Sequence, residues 1–457
     1  HKTASAVNKP SVKAPSDKKS VDKKPSAKEP TDKKPADKEP LVDADAASTD
    51  NIADSPLFIA SRPRKPVKHV FMDLMYGNHT TTFMSPDTTQ FGNPSAAPGG
   101  RNSSVNNGYS AYFEVPVNDH QDVDVTLIRD VVTSATPFMY VPAPSFINPS
   151  NNTRQFTTRA SVKDTRSSVN VKTTYYADNF SLSFNGGLSA EEDYDSLFFG
   201  VKSNIDFNNN NSTITLGTSF ARNESDPISD QGVARTAGVF DHGISNSEEY
   251  LFGFTQIFTP WFLAQQNLYY SQEHGYLSDP YKRMYWNFSP ITVIILPDNR
   301  PTTRHIWSTV THLAFYIGGP ALHLRYRYFS DSWGIRSGTL ETQFKIPFGK
   351  SGWTIVPGLR YYTQTKASFY QLYGSGPVPT SGFWSSDYRL AAFGQWEGML
   401  EIQKEFAKTW RAYIGYDYAY RKGTYKAGQY VETQPGEIQF TQLRLQAFYV
   451  GLQKVFK

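Results

Sequence analysis

His323, Arg325 and Arg327 occupy alternate positions of one stretch. Glu341 and Lys345 do the same on the next stretch, and Arg360 sits on a third. Side chains two apart on an extended strand share a face, so these six line one side of three neighbouring strands. A row of fixed cations on such a face selects anionic or zwitterionic solutes. The same residues have a structural reading, in which Glu341 neutralises an arginine on the adjacent strand as part of a salt-bridge ladder. Both readings stand at this level.

Other chemistry is thin. Asp241-His242 is an acid–imidazole pair in a loop region, but no nucleophile is placed by spacing, so no catalytic residue and no enzyme is expected. The chain has no cysteine, which removes disulfides, thiolate metal clusters, thiol catalysis and a lipid-modified N-terminal cysteine together. The nine histidines are scattered, so neither a metal site nor a cofactor is expected. Gly99-Gly100 and Gly186-Gly187 read as loop or strand glycines, not phosphate cradles. Asn102-Ser103-Ser104, Asn211-Ser212-Thr213 and Asn223-Glu224-Ser225 match the glycan acceptor pattern by accident of composition. Residues 1–40 hold 11 Lys against 6 Asp and Glu, or +5, so the rest of a chain with net charge +4 sums to −1. A body with no basic surplus gives nucleic-acid binding no support.

The elements that carry the cationic row form a hairpin, 320–348. On its first arm Leu322, Leu324, Tyr326 and Tyr328 fall opposite His323, Arg325 and Arg327. On its second arm Leu340, Thr342, Phe344 and Ile346 alternate with Glu341, Gln343 and Lys345. This two-residue rhythm recurs about sixteen times along the body, with aromatic residues at the arm ends, as in strands with one face in lipid and one in water. It reconciles 15% aromatic residues with a mean hydropathy of −0.50. No run approaches the roughly 18 apolar residues of a spanning helix; the longest aliphatic stretch, Ile291 to Leu296, stops at Pro297. The expected fold class is therefore all-β: a transmembrane, antiparallel, up-and-down β-barrel of about sixteen strands over residues 67–457. Closure is required, because an open edge in hydrocarbon leaves unpaired amides. Short turns such as 208–211 are expected in the periplasm and long loops outside, with connections alternating short and long. That alternation makes 384–406 one strand kinked at Gly394–Gly398. The last strand is expected over 437–456, with Phe448, Val450, Leu452 and Phe456 in phase. The first is expected over 69–76.

Residues 1–66 read as a separate, disordered tail. Pro10, Pro15, Pro25, Pro30, Pro35 and Pro40 recur at a five-residue period, separated by Lys and Asp or Glu. Almost nothing there can be buried, so an extended spacer in the periplasm is expected. Its local +5 makes an acidic envelope partner or the cell wall the expected contact of residues 1–60. The absence of an initial Met agrees with removal of a secretory signal peptide.

The stretches 276–283 (Tyr-Leu-Ser-Asp-Pro-Tyr-Lys-Arg), 296–300 (Leu-Pro-Asp-Asn-Arg), 325–335, 360–364 and 386–388 (Ser-Asp-Tyr) resemble a bacterial outer-membrane barrel family that carries only a domain-of-unknown-function label. The resemblance covers residues 68–457. It implies a barrel and a bacterial outer-membrane address, with outer-membrane lipid as its surroundings. Association of such families with small lipoproteins, thioredoxin-like proteins and flavin-attaching enzymes implies an envelope protein complex handling redox chemistry or metals. Asp298, Arg300, Asp331 and Trp333 are expected to pack loops over the mouth. Two functions follow: a channel or transport component for small polar solutes, or a structural membrane anchor of a larger envelope complex.

Overall fold

Strict alternation builds the strands. The structure, a computed structural model, describes residues 66–84, 88–90, 103–134, 136–142, 153–157, 162–227, 242–289, 291–434 and 436–457. The tail expected over 1–66 therefore lies outside the described residues, except for Pro66. Sixteen strands form one closed barrel. They are β1 (Phe71–Phe83), β2 (Ser103–Asn118), β3 (Gln121–Ser134), β4 (Val162–Tyr176), β5 (Phe180–Ala190), β6 (Tyr194–Phe207), β7 (Ser212–Ser225) and β8 (Gly243–Thr259). The second half comprises β9 (Phe262–Gly275), β10 (Thr303–Tyr316), β11 (Ala321–Asp331), β12 (Arg336–Pro347), β13 (Trp353–Gln364), β14 (Phe393–Phe406), β15 (Trp410–Lys422) and β16 (Leu443–Val455).

Each strand pairs antiparallel with its neighbours in sequence, and β1 pairs with β16 from Phe71↔Val455 to Phe83↔Leu443. No edge remains to face hydrocarbon, where each unpaired amide costs several kcal/mol. Every strand also leaves at least one large apolar side chain exposed, and away from the strand ends these share one phase, among them Leu74, Leu127, Phe199, Phe252, Trp307 and Leu359. The opposite phase carries Asp124, Lys202, Arg327, Glu401 and Gln403, all buried. A water-soluble monomer rarely exposes more than a few hundred Å² of contiguous apolar surface. An apolar belt around the whole barrel with a polar interior is the transmembrane arrangement.

One end of the barrel has only tight connections, such as 119–120, 177–179 and 260–261. At 208–211, Asn208, Asn209 and Asn210 all adopt the left-handed conformation, with φ of 54°, 52° and 68°. Asparagine tolerates that region better than other non-glycine residues. The other end carries the long segments 84–102, 135–161, 226–242, 276–302, 365–392 and 423–442. It also carries two tight links, 191–193 and 332–335, so the expected alternation of short and long holds at one end only.

Three boundaries differ from expectation. First, 384–406 is not one kinked strand. β14 starts at Phe393, and its register with β13 runs unbroken from Trp353↔Lys404 to Gln364↔Phe393. Gly394 is needed for close approach, since a Cβ there would lie 2.0 Å from the Tyr425 carbonyl oxygen. Residues 384–392 fold instead into the loops above the barrel. Second, β16 starts at Leu443, because Glu437–Phe440 forms a helical turn. Third, β1 runs on to Phe83 through Asn78, His79, Thr80, Thr81 and Thr82, where apolar alternation fades but backbone pairing continues.

The seam is sealed by side chains as well as backbone. Tyr413 pairs with Gly451, and Tyr449 with Gly415. Each ring lies over the glycine opposite, where a Cβ would come within 2.1 Å or 2.0 Å of it. Asp73 on β1 accepts from the Tyr413 hydroxyl at 2.9 Å and from Gln453 Nε2 at 2.9 Å.

Candidate functional site

Among the described residues, parts of the long loops fold into further structure. Two small three-stranded sheets form there. One joins Thr88–Gln90, Thr153–Thr157 and Pro137–Pro142; the other joins Arg283–Ser289, Thr292–Pro297 and Gly374–Ser375. A continuous buried core contains Phe83 of β1, Leu443 of β16, Tyr269 of β9, Ile306 of β10 and Phe329 of β11, together with Tyr140 of the first small sheet and loop residues that include Tyr370, Tyr388 and Leu390. β1 and β9 are eight strands apart in a ring of sixteen, hence on opposite walls. Loop residues therefore bridge the mouth from wall to wall. Tyr388 meets Phe83 edge-on with ring centroids 5.2 Å apart, and Trp333 meets Phe369 the same way at 5.3 Å.

At the centre of this cap is a buried ionic hub built on two Asp-X-Arg triplets. Arg300 Nε donates to Asp298 Oδ2 at 2.6 Å. In the second triplet Arg389 Nε donates to Asp387 Oδ1 and Oδ2 at 3.0 and 2.9 Å. The triplets are cross-linked, since Arg300 Nη2 donates to Asp387 Oδ2 at 2.7 Å. Arg389 Nη2 also reaches Asp279. Asp279 is held in turn by Asp298, which accepts from its backbone N–H at 2.8 Å. Lys282 Nζ donates to the Pro137 carbonyl at 2.7 Å and lies 5.2 Å over the Tyr388 ring, tying in a third loop.

Burial and charge compete within the hub. Burial alone would raise the Asp387 carboxyl, but Arg389, Lys282 and Arg300 outweigh it and hold it far below the usual carboxylate range. Asp279 is lowered for the same reason, with Arg389 and Lys282 outweighing its burial. Asp298 goes the other way: its burial exceeds the pull of Arg300, and its carboxyl is raised. Burial lowers Arg283, whose Nη1 donates only to the backbone carbonyls of Pro280 and Lys282. A buried network of this kind gives up hydration to fix geometry, so it specifies one loop arrangement more than it adds stability.

The cap is also anchored to the wall. Asp331 at the end of β11 accepts from Arg304 Nε at 2.9 Å and Nη2 at 2.7 Å, and from the Ile335 backbone N–H at 2.8 Å. Arg304 stacks on Trp333 at 4.4 Å, and Trp333 Nε1 donates to the Thr303 carbonyl at 3.1 Å. At the β5–β6 link the Tyr281 hydroxyl donates to Asp193, which clusters with Asp164 and Glu191. Burial, reinforced by Asp164, raises the Glu191 carboxyl to about 8.

Of the loop residues singled out by the resemblance, Asp298 and Arg300 lie in the hub, while Asp331 and Trp333 lie in the Arg304 cluster at the end of β11. The cationic row lies on the polar phase of the wall below. Registers place Arg325 opposite Glu341, Glu341 opposite Arg360, and Arg360 opposite Glu397. Arg325 Nη1 lies 3.1 Å from Glu341 and Arg360 Nη1 3.8 Å from Glu397, so the charges alternate around the wall. His323 stacks on His312 with ring nitrogens 3.1 Å apart. Arg327 is buried on β11, 5.8 Å from the Phe329 ring centroid. Lys345 lies farther toward the tight-turn end, opposite Ala321. Asp241 lies outside the described residues; His242 pairs with Asp226 at 2.6 Å in an exposed position. Sequence reasoning gave no role to Asp279, Asp387 or Arg389. The Asp-X-Arg triplets at 298–300 and 387–389 were the available signal, and a third at 164–166, outside the hub, shares the pattern.

Fold and site together define a transmembrane β-barrel of the outer-membrane type, capped by its own loops. The chain belongs to the family described as "Protein of unknown function (DUF3570)", which it matches over residues 103–444. No curated protein matches it. Among solved structures it is similar to the TodX monoaromatic hydrocarbon channel (deltaS2 mutant), at 11% identity over 89% of this chain and 94% of that one, with a TM-score of 0.40. The outer-membrane expressed OmpT of Vibrio cholerae shares 8% identity over 87% of this chain and 99% of that one, with a TM-score of 0.38. The siderophore receptor PirA from Pseudomonas aeruginosa shares 10% identity over 79% of this chain, with a TM-score of 0.36. The chain spans 57% of that receptor's length.

Proposed function

We propose that this protein is a gated passage for small polar solutes across the bacterial outer membrane, with its external mouth shut at rest. The tight-turn end faces the periplasm in this reading, and the capped end faces outward. One observation carries it: the barrel wall beneath the cap presents polar and charged side chains on its inner phase, Asp124, Lys202, Arg327 and Glu401 among them. The interior below offers alternating charges, including Arg325, Glu341, Arg360 and Glu397, rather than a uniformly cationic stripe. Such a wall passes hydrated, zwitterionic or neutral polar solutes without strong charge selection. Opening requires the hub to part.

The test is a variant in which residues 366–391 are replaced by a short Gly/Ser turn, reconstituted in liposomes. Swelling in sugars and amino acids that the intact protein excludes supports a gated passage. Solute-tight vesicles from both proteins would favour the second reading, a structural membrane anchor of an envelope complex. The core-packed cap is the observation that favours that reading.

A further inference from the structure

The outward face of the barrel is interrupted at the closure seam. Leu452, Leu74, Ala111 and Leu127 stand side by side on β16, β1, β2 and β3, along one line of register. Ala111 is short between two leucines, which leaves a depression in the apolar belt. One step toward the loops on the same phase come Val450, Tyr76, Tyr109 and Arg129. The Tyr76 and Tyr109 rings lie 5.1 Å apart and wall that side. The result is an outward-opening groove of about 670 Å³ with an aliphatic floor. That size falls within the usual range of small-ligand sites, about 300–1,000 Å³.

Arg129 sits on the loop-side rim. Its side chain is exposed on the phase that faces lipid, and it makes no hydrogen bond or ion pair with the described residues. An unpaired guanidinium on that face is costly near the bilayer midplane and tolerable only near the headgroups, where a long side chain can reach a polar partner. The neighbouring outward residues mark that level: the Tyr76 hydroxyl donates to Asn107 at 3.1 Å, and Asn78 Nδ2 donates to the same oxygen at 2.9 Å. Apolar floor, aromatic wall and terminal cation form the complement of one lipid molecule.

We propose that this groove is a binding site for a glycerophospholipid. An acyl chain lies along Leu74, Ala111 and Leu127, and the phosphate sits on Arg129. A guanidinium holds a phosphate by paired, charge-assisted hydrogen bonds. One groove and one cation match a lipid with a single phosphate rather than a larger glycolipid with several chains and phosphates. The site lies on the outside of the barrel, so it does not depend on whether the interior conducts.

The experiment is native mass spectrometry with phosphorus quantification on the full chain, purified in mild detergent and exchanged extensively. The unmodified protein is expected to retain about one phospholipid mass adduct. Arg129→Glu and the groove-filling Leu127→Trp should each lower bound phosphorus at least fivefold. Lys408→Glu, in the 407–409 turn away from the groove, should leave it unchanged. Heat-modifiable gel mobility checks that each variant is a closed barrel, and Arg129→Gln serves if Arg129→Glu does not fold. Four results would overturn the proposal: equal phosphorus in all variants, detergent as the sole adduct, a multiply phosphorylated glycolipid as the retained species, or a dimer mass lost on Leu127→Trp, which would assign the groove to a second copy.

Discussion

Replacing Asp387 by alanine removes the carboxylate on which both Arg-bearing triplets converge. Its side chain has no solvent exposure, and those of Arg300 and Arg389 have 8% and 10%. Solvent screening therefore gives little relief. Removing one member of a buried ion pair costs about 3–5 kcal/mol, because the partners are left charged and uncompensated. The partners of Asp387 lie in 276–302 and 365–392, so this cost falls on the closed cap rather than on the barrel ladder. At about 1.4 kcal/mol per decade, the closed-to-open ratio of the cap falls roughly 150- to 5,000-fold. Two assays read it. Hydrogen exchange of Gln371, Ser385 and Leu390, whose backbone N–H groups bond within the cap, should accelerate by at least two orders of magnitude. Single-channel recording should show openings that are rare in the unmodified protein. Heat-modifiable mobility should be unchanged, since β1–β16 are untouched. Unaltered exchange and conductance in a properly folded Asp387→Ala protein would refute the reasoning.

Further expectations concern the wall and the seam. Asp73→Ala should lower the barrel's unfolding temperature in detergent, because Tyr413 and Gln453 lose a shared charged acceptor worth about 1–3 kcal/mol; the gel-shift transition measures it. Arg325→Glu paired with Glu341→Arg should restore whatever either single reversal loses, with a coupling of at most about 1 kcal/mol, since Arg325 is 42% exposed; a double-mutant cycle reads this directly. Glu191 has its carboxyl raised to about 8 from an ordinary 4.5, so the folded state holds a proton that the unfolded chain gives up. Its contribution to local stability therefore falls as pH rises from about 4.5 to 8 and levels off above that. Exchange at 190–195, corrected for intrinsic rates, should accelerate across that window, and Glu191→Gln should flatten the dependence.

The barrel was legible in the sequence because its driving force is periodic. Leu322, Leu324, Tyr326 and Tyr328 announce a lipid face whatever lies around them, and sixteen such segments close only one way. The boundaries were less legible where that force stops. Past Tyr76 both faces of β1 are polar, so pairing continues without an alternation to mark it. At 384–392 the pattern of aromatic and aliphatic residues imitates a strand, yet Tyr388, Leu390 and Ala391 are buried in the cap by partners from distant loops. The hub shows the same division. Asp298-Asn299-Arg300 and Asp387-Tyr388-Arg389 repeat a local motif visible in the chain. Their cross-link through Arg300 and Asp387 joins residues 87 positions apart, which no local rule supplies. The cationic row illustrates the limit on charge as well, because its partner Glu397 lies on another strand, and only the register between β13 and β14 brings it opposite Arg360.

The most direct measurement uses the absence of cysteine from the chain. A single cysteine at Thr339, buried on the polar phase of β12 opposite Arg327, becomes the only thiol in the protein. Its reaction with a small, membrane-impermeant thiol reagent added outside intact cells reports access through the mouth. Labelling should be slow in the Thr339→Cys protein and at least 100-fold faster when Asp387→Ala is added. Fast labelling without the second substitution would show that the loops leave the mouth open.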